Sequence, residues 1–464
     1  MSLVPKCRKA LSCATILAVG LCFVGAAAAR SLGLDDLQRE QRVSGVQLSP
    51  DGQWVAYVVN GIDADSGKRN SQLWKVSWDG SRRMQLTYGP HGVGEVRWSP
   101  DGRYLSFLSS RYGDDAVSQV WVLDGAGGEA RALTDVADGV SSYAWSPDSK
   151  RLALVVPPKR AKLEKDAKPK PIVIDRYQFK SEGGRYHEGE AKQARIQLYD
   201  LDSKRLVTLT PEQETFGESD PAWSPDGTRV AFVSNREQDW ERDDNADVWV
   251  ADTTGNAVPR RVTRYPGWDF GPVAWSPDGK FLAYAQGQQR KYRLYQLRQV
   301  AIIPVDGGEP ILPTQTLDRD TTVPRFTPDG RHVEFLVTDS RSQHFARVPV
   351  TGGKVERLVD GNRYVTGYSH VGPRTAVVIG SADAPFELFA RDQRGLRSLS
   401  EHNSAWLADV QLGQTQQFEF TAPDGVEVQG LLTLPANAHK GERQPLLLWI
   451  HGGPYGQDGH FFDL

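Results

Sequence analysis

Trp223-Ser-Pro-Asp-Gly-Thr-Arg-Val-Ala-Phe-Val233 is the stretch that decides the fold. Proline presets the second position of a tight turn, aspartate caps the backbone through its side chain, and glycine takes a left-handed conformation. The aromatic residue before the turn ends one strand, and the alternating run 229–233 begins the next. The same phrase recurs as Leu48-Ser-Pro-Asp-Gly52, Trp98-Ser-Pro-Asp-Gly102, Trp145-Ser-Pro-Asp-Ser149, Trp275-Ser-Pro-Asp-Gly279 and Phe326-Thr-Pro-Asp-Gly330. Successive copies start 50, 47, 78, 52 and 51 residues apart, a period that belongs to repeat architectures.

A weaker repeat follows each turn. Leu73-Trp-Lys-Val76 leads to Leu86-Thr87, Val120-Trp-Val122 to Leu133-Thr134, Leu198-Tyr199 to Leu209-Thr210, and Val248-Trp-Val250 to Val262-Thr263. Two hairpins per repeat make four strands, one blade of a β-propeller. A further ending, Glu387-Leu-Phe-Ala390 to Leu399-Ser400, has a degenerate turn between Ser369 and Arg374. The expectation is a mainly β chain with a seven-bladed propeller over 43–403, eight blades being the alternative, preceded by a short helical segment at 30–42.

The long interval between the third and fourth turns holds an insertion at about 157–195. Its Lys- and Pro-rich stretch 157–171 reads as a solvated loop, and Pro171-Ile-Val-Ile-Asp-Arg-Tyr-Gln-Phe179 as a return to strand-like alternation.

Toward the end the pattern changes. Phe418-Glu-Phe420, the turn Pro423-Asp-Gly425 and Val428-Gln-Gly-Leu-Leu-Thr-Leu434 read as a hairpin without the repeat signature, placing a domain boundary near Ser404. Leu446-Leu-Leu-Trp-Ile450 has no alternation and reads as a parallel strand buried on both faces. His451-Gly452-Gly453 straight after it is the pattern of an α/β-hydrolase oxyanion loop, whose backbone N–H groups meet a developing negative charge. Residues 404–464 therefore read as the start of a hydrolase domain, truncated before its nucleophile. No Gly-x-Ser-x-Gly occurs; Gly367-Tyr-Ser369-His370-Val371 lacks the last glycine and falls in the degenerate repeat.

Lys6, Arg8 and Lys9 precede an apolar stretch and Ala26-Ala-Ala-Ala29, the pattern of a secretory signal peptide over 1–29. All three cysteines (Cys7, Cys13, Cys22) lie inside it, so disulfides and thiolate metal sites are excluded from a mature chain. Without Lys6, Arg8 and Lys9 the chain carries 52 basic against 58 acidic side chains, which argues against a nucleic-acid binder. A periplasmic or secreted protein, off the membrane once cleaved, is expected; its oligomeric state is left open.

An exported propeller that runs into hydrolase strands and His451-Gly452-Gly453-Pro454-Tyr455 resembles the prolyl oligopeptidase family, closest to its acylaminoacyl-peptidase and dipeptidyl-peptidase branch. Pro171-Ile-Val-Ile-Asp-Arg176 and Ser234-Asn-Arg236 add to the resemblance. It implies a serine peptidase acting on short peptides, with the propeller limiting entry. Gly452 and Gly453 would help bind the oxyanion, with His451 and Pro454 shaping the loop. The catalytic Ser, Asp and His are expected beyond Leu464, so this chain alone should be inactive. The resemblance also implies acidic propeller residues that hold a substrate's amino terminus, for which Asp243 and Asp244, or Glu188 and Glu190, are the candidates. His187 beside Glu188 and Glu190 lacks a second histidine at ligand spacing, so neither metal nor cofactor is implied. The other reading is a non-catalytic peptide- or protein-binding propeller of the periplasmic Tol type.

Overall fold

A computed structural model describes residues 29–463 apart from 65, 112–115, 126, 159–170, 181–192, 212–215, 244, 293–294, 440 and 454–455. The signal segment and its three cysteines lie outside these described residues.

Each Ser-Pro-Asp-Gly turn is tied by the same bonds. In the fourth copy Ser224 Oγ donates to Asp226 Oδ1 (2.5 Å) and accepts from the Arg229 N–H (3.0 Å), while Asp226 Oδ1 accepts from the Thr228 N–H (3.0 Å). The Gly227 N–H closes the turn on the Ser224 carbonyl at 2.9 Å. Turn glycines 52, 102, 227, 279 and 330 have φ between 67° and 72°, the region that an L side chain enters only at a cost. Ser149, in the third copy, takes φ 59°, and its hydroxyl accepts the Asp101 N–H of the preceding turn at 3.0 Å.

Among the described residues these turns organise seven antiparallel units over 42–85, 94–132, 142–208, 219–261, 267–304, 320–359 and 364–398. The fifth has three strands, extended by an isolated bridge between Ile302 and Ile311. The sixth and seventh are joined at one pair, Gln343 with Tyr364. Fourth strands are short because a hydroxyl takes over their pairing. Thr87, Thr134, Thr263, Thr314 and Ser400 accept the N–H groups of Leu73, Val120, Val248, Val300 and Leu388 at 2.8–3.0 Å. The endings Leu86-Thr87, Leu133-Thr134, Val262-Thr263 and Leu399-Ser400 read from the sequence are such latches.

The second strands are buried on both faces. Val230 and Phe232 join one apolar cluster, Ala231 and Val233 the next, so each sheet packs on a neighbour to either side. That sandwiching replaces the half-buried alternation the sequence suggests. First strands of successive units pack side by side, and the last unit packs on the first. Val43, Val46, Leu48 and Val55 share a cluster with Ala376, Val378, Leu388 and Leu399. Across this seam Ser369 Oγ accepts the Leu48 N–H (3.0 Å), and Arg374 and Arg397 donate to the carbonyls of Gly52 and Trp78 (both 2.6 Å). The architecture is that of a β-propeller.

Before the first unit, Leu34–Gln38 forms a 3₁₀ helix, and Arg30–Ser31 pairs in parallel with Val410–Gln411 beyond the short helix Ser404–Leu407. Thr415–Thr421 and Glu427–Thr433 form the expected hairpin, with Gly425 at φ 86° in its turn.

Two expectations fail. The 171–179 stretch is no strand; Glu241 holds it instead, accepting the N–H groups of Tyr177 (3.0 Å) and Gln178 (3.1 Å) and pairing with Arg176 (2.5 Å). Leu446 to Ile450 is neither strand nor buried, each side chain being 75–87% exposed. A strand needs a partner edge, and no described residue supplies one here.

Candidate functional site

In a four-stranded antiparallel unit, the links from second to third strand and from fourth strand to the next unit share one face, and the Ser-Pro-Asp-Gly turns occupy the other. The insertion, the acidic 235–246 link, the 290–298 link and the 340–341 turn are therefore gathered on one face. The tail lands on the same face. His460 donates its N–H to the Arg341 carbonyl (2.7 Å), the Phe461 ring meets Tyr364 edge-on at 5.2 Å, and Asp463 pairs with Arg42 (2.9 Å). Gln417 of the hairpin bridges Asn362 (2.9 Å) and His460 (2.6 Å) and accepts from Arg341 (3.1 Å).

Between tail and propeller lies a cavity of about 480 Å³, walled by Arg298, Asp318, Arg319 and Asp339 on one side and by Gln429 and Gln457 on the other. Its charges are largely paired. Asp320 Oδ1 accepts from the Arg298 backbone N–H (2.9 Å) and Nε (3.0 Å). Asp339 takes Arg319 Nε at 2.5 Å and also pairs with Arg357. Burial opposes ionisation of Asp339, but Arg319 and Arg357 outweigh it and hold the carboxyl below its ordinary value. Asp318, 90% exposed, is met by Arg319 only at 3.9 Å and carries the spare negative charge. Ser340 and Arg341, with φ 46° and 67°, form the two-residue hairpin turn between Asp339 and Ser342. The Ser340 hydroxyl bonds Asp339 (3.1 Å), whose carboxylate is already taken by Arg319 and Arg357, and no histidine is among the described residues that line the cavity.

Of the residues singled out from sequence, Asp243 and His451-Gly452-Gly453 are among the described ones. His451, Gly452 and Gly453 are exposed, and the His451 ring bonds only the neighbouring Gly452 carbonyl at 2.9 Å. Pro454 and Tyr455 lie outside the described residues, as do Asp244, Glu188 and Glu190. Asp243 is a turn residue: its carboxylate accepts the Asn245 N–H at 3.2 Å, and its carbonyl accepts from Asn235. Ser234-Asn-Arg236 has a structural role too, Arg236 reaching buried Glu218 at 2.8 Å. The cavity's own residues were missed; their one sequence signal is the charged run Asp318-Arg319-Asp320 ahead of a first strand. Among the described residues no group of three His, Cys, Asp or Glu side chains is placed to hold a metal ion.

Comparison with known proteins bears on this arrangement. The family model described as TolB beta propeller domain matches residues 185–405. Uncharacterized peptidase YuxL of Bacillus subtilis is 28% identical over 451 residues, covering 92% of this chain and 67% of the relative. Dipeptidyl-peptidase 5 of Porphyromonas gingivalis is 24% identical over 452 residues, covering 91% and 63%. Among solved structures, the Pyrococcus horikoshii acylaminoacyl peptidase superposes with a TM-score of 0.73 at 18% identity, over 92% of this chain and 63% of its own. A puromycin-hydrolyzing peptidase of Mycobacterium tuberculosis gives 0.66 at 17%, over 94% and 66%. These superpositions establish the fold. The chain spans about two thirds of the length of the relatives it matches.

Proposed function

The chain belongs with the propeller-bearing peptidases of the prolyl oligopeptidase family, and we propose that it is the substrate-gating front part of an exported serine peptidase. The proposed reaction is hydrolysis of short peptides, releasing aminoacyl or dipeptidyl units from the amino-terminal end. The observation that carries this reading is sequence similarity to peptidases over 91–92% of the chain. We read the seven units as seven blades of a closed ring, and the segment from Ser404 as the approach to the hydrolase strands. The basic, apolar, alanine-rich start supports export to the periplasm or beyond.

Chemistry in this scheme follows acyl transfer. A serine attacks the scissile carbonyl, and the oxyanion is met by backbone N–H groups from the Gly452-Gly453 loop and from the residue after the nucleophile. The 464 residues contain the first donor set and no Gly-x-Ser-x-Gly. On this reading they bind and sieve peptides on the face where the tail lands and turn nothing over alone. A peptide's amino terminus suits the cavity there, the exposed Asp318 meeting the cation.

The test is hydrolysis of dipeptidyl and N-acyl-aminoacyl nitroanilides by the chain alone and by the chain joined at residue 464 to the hydrolase segment of a relative. The expected outcome is no turnover and no fluorophosphonate labelling alone, with both gained on joining. Labelling of the 464-residue chain itself, or a joined enzyme that cleaves folded proteins as readily as short peptides, would overturn the proposal.

A further inference from the structure

The face opposite the tail carries a departure from the repeat. Two residues after each turn glycine, or after Ser149, stand Trp54, Tyr104, Arg151, Arg229, Phe281, His332 and Arg374, and the three arginines each reach the next unit. The arginines act as plugs. The Arg151 guanidinium lies 4.7 Å from the Trp223 ring centre and donates to the Gly227 carbonyl at 2.8 Å. Arg229 lies 5.1 Å from the Trp275 ring, and Arg374 donates to the Gly52 carbonyl. The indoles are anchored in turn, Trp223 and Trp275 donating Nε1 to the carbonyls of Ala144 (3.1 Å) and Ala222 (2.9 Å) of the preceding unit.

At the junction of the fifth and sixth units both partners change. Phe281 stands where the third and fourth units have Arg151 and Arg229, and Phe326 where the fourth and fifth have Trp223 and Trp275. Phe281 cannot donate to the Gly330 carbonyl, the counterpart of Gly227, and neither ring fills the junction. What remains is a cavity of about 330 Å³ with Phe281, Ile302, Ile311 and Phe326 in its walls and Asp278 and Asp329 on its rim. The fifth unit has no regular fourth strand to cover it, and Ile311 is half-exposed.

We propose that this cavity is a docking site for an arginine side chain presented by another polypeptide, which supplies in trans the plug that Arg151, Arg229 and Arg374 supply in cis. The aromatic walls suit a guanidinium plane and its methylenes. The Gly330 carbonyl is the acceptor that matches those used at Gly227 and Gly52. Both rim carboxylates are held ionised. Asp278 lies below its ordinary value through the Ser276 hydroxyl and the Lys280 N–H, and Asp329 through the Thr327 hydroxyl and the Arg331 N–H. Free arginine is disfavoured, because its own α-carboxylate would face these two. The site is on the face away from the tail, so it is separate from the proposed peptidase site and does not depend on it.

The test is titration of the isoleucine-methyl-labelled chain with the blocked peptide acetyl-Gly-Arg-Gly amide. Saturable shifts of the Ile302 and Ile311 methyls are expected. The citrulline peptide and free arginine should each bind at least roughly tenfold more weakly, since they lose the cation or add a repelled anion. Phe281→Arg fills the cavity from within and should abolish the shifts while raising Tm. Val350→Trp, which blocks the cavity without a charge, should abolish them as well and covers the case in which Phe281→Arg does not fold. No saturable shift, equal binding of the citrulline peptide, or binding that survives Val350→Trp overturns the proposal.

Discussion

The Tyr57 hydroxyl lies 3.1 Å from Nε2 of His402, joining the first unit to the end of the last across 345 residues. The His402 ring also meets Trp74 edge-on at 4.9 Å. One residue on, Asn403 pairs with Gln41 in both directions, at 2.9 and 2.7 Å, and donates its N–H to Glu387. Apolar packing and such polar side-chain contacts, with no strand shared between first and last sheets, hold the seam shut. Burial, with Arg83 nearby, pushes His402 down to about 4 from its ordinary 6.5, so it is neutral in the folded chain at neutral pH.

The sign of the pH effect follows from that depression. Below 6.5 the unfolded chain takes up a proton that folded His402 resists until about 4, so stability is fully present above 6.5 and is lost as pH falls toward 4. Allowing for partial exposure, the loss from this group is roughly 1–3 kcal/mol. His402→Leu should remove it. Urea unfolding at pH 7 and pH 4 should show the stability gap between wild type and variant shifting by that amount, and a gap that stays constant would show that His402 does not titrate as described.

Asp269 shifts stability in the opposite direction. It is fully buried, and burial, with Asp247 nearby, outweighs the neighbouring Thr263 hydroxyl and drives its proton affinity far above the usual carboxylate range. Asp247, paired with Arg261 at 2.6 Å, is pushed up to about 6 by burial. Raised values mean that the folded chain holds protons that the unfolded chain releases above 3.8, so these groups weaken the fold as pH rises. Asp269→Asn, the neutral isostere, should raise Tm at pH 8 and leave it unchanged at pH 4. An equal shift at both values would point to packing rather than charge.

Gly227 tests the turn. Its φ of 70° is outside the range of a β-branched residue, so Gly227→Val should cost at least about 1–2 kcal/mol, and Gly227→Asn clearly less. Chemical denaturation of both variants decides it; similar losses would mean that the cost is steric crowding and not backbone conformation.

The exposed run from Leu446 to Ile450 offers apolar side chains on an unpaired backbone, a template for association. Leu447→Asp combined with Trp449→Lys should reduce self-association in light scattering and leave Tm within about 1 kcal/mol of wild type in equivalent stability, as exposed sites do. Unchanged scattering would place the adhesive surface elsewhere.

How much was legible depended on range. Ser224, Asp226 and Gly227 make their bonds within five residues, so the turn could be read from its letters, and the hydroxyl latches repeat at a fixed offset. The geometry of His451-Gly452-Gly453 was not legible, because the shape of such a loop depends on strands beside it and not on its own residues. The run around Asp243 does not reveal that its carboxylate also accepts a turn N–H, that of Asn245. The Asp339 cluster joins Arg319, just ahead of the first strand of the sixth unit, and Arg357 in its fourth strand, a proximity that only the folded sheet supplies. Phe281 stood in plain sight, yet its meaning needs the arginine contacts of its counterparts.

Glu218 is the last test, because it separates structural from functional readings of Ser234-Asn-Arg236. Its carboxylate has no solvent exposure, accepts the Ile196 N–H at 2.9 Å and the Thr210 hydroxyl at 2.5 Å, and pairs with Arg236 at 2.8 Å and Arg195 at 3.5 Å. It does for the third unit what the threonine hydroxyl does alone in its neighbours, while neutralising two arginines beneath the insertion. Removing one partner from such a buried set leaves uncompensated charge and costs about 3–5 kcal/mol. Glu218→Ala should therefore unfold at markedly lower urea, and Glu218→Ala combined with Arg236→Met should recover part of the loss. A double variant no more stable than the single would mean that the bond to Ile196, not the ion pair, is what Glu218 contributes.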